Sequence, residues 1–108
     1  MNLNYAVERL LDTGWSASME SDLERLPDGR QFPSVAAVQR EFARAGLVLS
    51  IKQNLMFGCH RATWAPIGED LDPAAQTDDR HGTVVGACVR EAAVYALAQL
   101  RASLVEMA

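Results

Sequence analysis

Residues 82–108 read GTVVGACVREAAVYALAQLRASLVEMA and form the longest apolar-periodic segment of the chain. From Val89 on, Ala93, Ala96, Leu100 and Leu104 recur at steps of three and four, one stripe of a 3.6-residue helix. Cys88, Ala92, Tyr95 and Leu97 widen that stripe, which predicts a helix near 88–104 buried on more than one side. The small side chains of Ala92, Ala93, Ala96 and Ala98 let another backbone come close, as suits a helix lying flat on a sheet. Just before it, Thr83, Val84 and Val85 are β-branched, and Gly86 inside a helix would cost about 1 kcal/mol relative to Ala. The stretch 82–86 therefore reads as a short strand, with a helix capped at Thr83 as the alternative. GTVVG lacks the lysine and the length of a phosphate loop; its glycines allow tight strand-to-helix packing.

Upstream, Leu47, Leu49 and Ile51 alternate with Val48, Ser50 and Lys52, the pattern of a half-buried strand near 47–52. A connection opens at Gln53-Asn54 and ends at Gly58, after which 59–65 resume an extended pattern, so the pair reads as an antiparallel hairpin. Leu55, Met56 and Phe57 lie near its tip. They either start a buried second strand or form an exposed apolar contact patch.

Ser34 is a good N-cap for a helix near 34–46, in which Val35, Val38, Phe42 and Ala45 share a face and Gly46 is the stop. Phe32 is placed to pack back near its first turn. A further helix near 3–13 carries the stripe Leu3, Val7, Leu10 and Leu11. It is too short to be stable alone in water, so the stripe must dock on the body or on a partner. Trp15, Ala17 and Met19 alternate weakly, as an edge strand would, and Pro27-Asp28-Gly29 is a turn; 15–31 as a whole is read as loop. Residues 66–80 hold five acidic residues without periodicity, a long connection of the mobile or functional kind. The fold class expected is α+β: a small antiparallel sheet of about three strands, near 47–52, 59–65 and 82–86, packed against helices near 34–46 and 88–104, with the N-terminal helix added.

The length of 108 residues suits one domain, and 49% apolar residues with two Trp indicate a globular chain. Ten basic against 14 acidic side chains leave a net charge of −4, which opposes nucleic acid or an anionic membrane as partner. Lys52 is the single lysine. No stretch has the length of a membrane span and the N-terminus lacks the pattern of a signal peptide, so a cytoplasmic setting with reduced thiols at Cys59 and Cys88 is expected.

From Ser34 onward, the order helix, strand, strand, strand, helix resembles the double-stranded RNA-binding domain over roughly the last two thirds of the chain. Gly58-Cys59-His60 echoes the turn before that family's second strand, and the segment from Cys88 to Ala93 lies where its basic cluster opens the last helix. The resemblance implies duplex RNA as the ligand. Here Arg90 alone supplies a cation where the family pattern has about three lysines reaching phosphates, so the likeness is one of topology.

Cys59, His60, His81 and Cys88 are zinc-ligand types, but adjacent strand residues point to opposite faces. A buried structural Cys88 and a partly exposed His81 explain the same letters, and no metal or other cofactor is expected. Cys59 beside a histidine has the makings of an activated thiolate, yet no third orienting group stands at a recognisable spacing. DLDPAAQTDD, with Asp70, Asp72, Asp78 and Asp79, departs from the calcium-loop arrangement. His60, Arg61, Arg80 and His81 would bind a small anion if the strands gather them. Absent a catalytic grouping, the expected role is a non-enzymatic interaction module. Its partner is a protein or a second copy of the chain, met through Trp15, Leu55, Met56 and Phe57, through the 3–13 stripe or through the open sheet face.

Overall fold

A computed structural model of the chain describes residues 3–68 and 82–107, and for 103–107 the backbone alone. Its last helix, here α3 (Val89–Met107), carries Ala92, Ala93, Val94, Ala96, Leu97, Ala98 and Leu100, all buried. Apolar side chains thus cover most of its circumference rather than one stripe, the mark of a helix enclosed by its neighbours. The helix α1 (Leu3–Asp12) packs along it with Ala6, Val7 and Leu10 fully buried, and the Tyr5 and Tyr95 rings lie 6.0 Å apart. Arg101 Nε donates to Thr13 Oγ1 at 3.0 Å, and that hydroxyl donates to the Leu10 carbonyl at 2.6 Å, which ties the end of α1 to α3. The N-terminal stripe is therefore used within the chain; Leu11, at its edge, stays exposed.

The helix α2 (Val35–Arg44) starts as its sequence dictates, with Ser34 Oγ accepting from Ala37 N at 3.1 Å. Ala37, Val38 and Phe42 face the core. Ala45, expected on that face, is the exposed C-cap, because the helix ends at Arg44.

Strands β3 (Leu47–Asn54), β4 (Cys59–Pro66) and β5 (Gly82–Gly86) make an antiparallel sheet in the order β3-β4-β5. (The strands β1 and β2 come earlier in the chain and are described below.) The register pairs Leu49 with Trp64, Ile51 with Ala62 and Ala62 with Val84, so these residues share the face against α2 and α3. Phe42 meets Trp64 there at a ring distance of 5.4 Å; burying such a side chain contributes about 1.5–3 kcal/mol. Val48, Lys52, Arg61, Thr83 and Val85 alternate onto the other face and are exposed. A methyl group at Gly82 would run into the Trp64 indole, and one at Gly86 would come within 2.6 Å of Ala92 N. The two glycines are what lets β5 lie this close to its neighbours.

A second sheet was not expected. Strands β1 (Leu23–Arg25) and β2 (Gln31–Pro33) pair antiparallel, Glu24 opposite Phe32, around the Pro27-Asp28-Gly29 turn. Strands of three residues are too short to display an alternation, which is why 15–31 reads as loop. A 3-10 turn at Ala17–Met19 replaces the weak alternation there. Trp15, Leu26 and Phe32 are buried and join the same hydrophobic cluster as α3. None of the described helices is long and apolar enough to cross a membrane.

Candidate interaction site at the tip of the β3–β4 hairpin

The turn Leu55–Gly58 between β3 and β4 is one helical turn with its own cap and stop. Asn54 Oδ1 accepts from Met56 N at 3.0 Å and from Phe57 N at 3.3 Å, and the Asn54 carbonyl accepts from Gly58 N at 2.8 Å. Gly58 closes it at φ +67°, a conformation that costs an L side chain about 1–2 kcal/mol. Asn at the start and Gly at the end thus satisfy the backbone and leave the three side chains between them no structural duty. Those side chains are Leu55, Met56 and Phe57, exposed to 86%, 84% and 75%. Of the two readings of this segment, the exposed patch is the one observed.

Beside the tip, Lys52 and Arg61 stand opposite each other in the β3–β4 register on the open face. With Gln53, Asn54, Leu55 and Met56 they line an open groove of about 510 Å³. Residues 47–66 contain no carboxylate, so all 14 of the chain's acidic residues lie elsewhere. One end of an acidic molecule therefore presents apolar side chains flanked by cations. The surface is amphipathic, apolar at the turn and cationic beside it.

Other residues singled out by sequence are distributed differently. His60 falls on the helix-facing side with Ala62 and Trp64, opposite Gly86, and its buried Nδ1 has no hydrogen-bond partner. Arg61 points to the other side and is exposed, because successive strand residues alternate. Those two do not converge, and Arg80 and His81 lie outside the described residues, as do Asp70, Asp72, Asp78 and Asp79. The pleat likewise turns Cys59 away from His60, which separates the thiol from the imidazole. Trp15, at 5% exposure, belongs to the core and offers no contact surface.

Cys88, expected buried, is exposed, because it caps α3: its Sγ accepts from Glu91 N at 3.4 Å. Glu91 answers by accepting from Ala87 N through Oε2, a side chain wholly buried with Oε1 unpartnered. Cys88-x-x-Glu91 has the spacing of a capping box with sulfur in place of the hydroxyl, a signal present in the sequence itself. Val89, in the first turn, is 38% exposed rather than part of the buried stripe. The groove residues Gln53 and Asn54 were also missed; the absence of any acid between 47 and 66 was the available clue. Among the described residues, no three of His, Cys, Asp and Glu lie together as metal ligands would.

Compared with family models, with curated proteins and with solved structures, the chain gives no significant match.

Proposed function

We propose that the chain is a non-enzymatic interaction module whose contact surface is the β3–β4 tip. One observation carries this reading: Leu55, Met56 and Phe57 are exposed in succession on a turn whose backbone is fully organised by Asn54 and Gly58. A backbone held in advance spares the loop-ordering part of the entropy cost of binding, while the three side chains still lose rotamer freedom. Covering the three side chains would gain about 1.5–3 kcal/mol each, set against an association cost of about 4–15 kcal/mol. The tip alone thus supports a weak complex and needs help from its surroundings for a tight one. A protein partner is favoured, in a cytoplasmic setting that suits the two free cysteines.

Duplex RNA, the ligand implied by the resemblance, is disfavoured by one contact. Arg90, the lone cation at the start of α3, is held by Glu24 with Nε to Oε1 at 2.8 Å. An anisotropy titration with duplex RNA at low salt should show no binding.

The test of the module is selection of short displayed peptides on the wild-type chain, with Leu55→Ser/Met56→Ser/Phe57→Ser as the counter-target. Peptides retained by the wild type and lost by the triple variant are expected; peptides held equally by both would remove the tip as the contact surface. Light scattering should show whether a second copy is the partner. A strict monomer at high concentration excludes it.

A further inference from the structure

We infer that the groove beside the tip receives an acidic segment of a partner polypeptide, its carboxylates on Lys52 and Arg61 and its apolar side chains on Leu55 and Met56. The inference rests on the tip being the contact surface and adds the chemistry of the partner. Lys52 and Arg61 are directly paired across β3 and β4, and like charges in that position repel. Among the described residues, neither has an ion-pair partner. By contrast Arg30, Arg40, Arg44 and Arg90 each face a carboxylate. A bound carboxylate would relieve the repulsion that the fold leaves standing, and the bidentate fork of Arg61 fits it well.

The charge distribution points the same way. With a net charge of −4 and no acid between 47 and 66, the field of the molecule turns an acidic partner away from other surfaces and toward this one. Nucleic acid would meet the same two cations, but two phosphate contacts release few counterions. An anionic bilayer gains only about 1 kcal/mol per cation near its surface, and its breadth would bring the acidic remainder of the chain against it. A second copy would have to bring free carboxylates. Among the described carboxylates, Glu20, Asp22, Glu24, Asp28 and Glu41 already face arginines of their own chain and Glu91 is buried, which leaves only Glu8 and Asp12 on α1.

The selected peptides decide the matter, measured by fluorescence anisotropy against the wild type, Lys52→Ser/Arg61→Ser and the triple tip variant, with circular dichroism confirming that each variant is folded. Expected are sequences enriched in Asp or Glu next to Leu or Phe. Their affinity should fall about tenfold or more in Lys52→Ser/Arg61→Ser and decline with salt. Peptides that need the tip but bind Lys52→Ser/Arg61→Ser undiminished would overturn the acidic partner and leave the contact surface standing. Peptides indifferent to both variants, or a selection that enriches nothing, would overturn both. Binding of phosphatidylserine vesicles or duplex RNA, or a concentration-dependent increase in mass, would also overturn it if Lys52→Ser/Arg61→Ser abolished the effect, since the groove would then belong to that occupant.

Discussion

The two hairpins of this chain solve the same backbone problem and use the result differently. In β1–β2, Leu26 N donates to the Arg30 carbonyl at 2.8 Å, Asp28 Oδ1 accepts from Arg30 N at 3.0 Å, and Gly29 sits at φ +94°. In β3–β4, Asn54 and Gly58 play the corresponding parts. An Asx side chain and a left-handed glycine are sufficient for either turn. Yet the first hairpin buries Leu26 and Phe32 and shows water a polar tip, whereas the second buries Leu49 and Trp64 at its base and shows water Leu55, Met56 and Phe57. Once turn chemistry is supplied by the flanking residues, the intervening side chains are free to serve something outside the fold.

The widest separation between the hairpins should appear on truncating one aromatic in each. Phe32→Ala should cost about 3–5 kcal/mol, while Phe57→Ala should stay within about 0.5 kcal/mol of wild type, both read from urea midpoints at constant m-value. A large loss at Phe57 would mean that the tip is core and would end the contrast. Next in size, Gly29→Ala and Gly58→Ala should each lose about 1–2 kcal/mol, but only Gly58→Ala should weaken peptide retention.

The smallest effect is in pH. The Asp28 carboxyl is held below its usual range by the Arg30 side chain and then by the Arg30 backbone N–H. A depressed carboxylate stabilises the fold above its unfolded-state pKa, and that contribution is lost as pH falls through the folded value. The difference between wild type and Asp28→Asn should therefore be full near neutrality and vanish in acid. The Leu55–Gly58 turn holds no ionisable side chain, so Phe57→Ala should change stability by the same small amount at every pH.

How legible this was depended on the length of each pattern. Eight-residue strands at Leu47–Asn54 and Cys59–Pro66 show enough alternation to be read with their faces. Ser34 and Gly46 bracket α2 by mechanism, and β-branched Thr83 to Val85 with Gly86 settled strand over helix. Three-residue strands do not carry a period, so β1 and β2 were invisible although their turn was not. The site was half legible. Leu55, Met56 and Phe57 stood out as apolar residues in a turn, but local sequence does not say whether another element covers them. Of His60, Arg61, Arg80 and His81, strand pleating puts the first two on opposite faces and the last two lie outside the described residues, while Trp15 went inward because the β1–β2 hairpin brings its own apolar residues to the same cluster.

Gly82, Val84 and Gly86 all face inward from β5, small, large, small. A strand that slips by two residues keeps its inner and outer faces, and ordinary alternation does nothing to prevent it. Here such a slip would drive Val84 into the space reserved for hydrogen, beneath the indole of Trp64 or against the peptide of Ala92. The edge strand thus has a single seating, which denies the sheet the shifted pairings through which exposed edges elongate into aggregates.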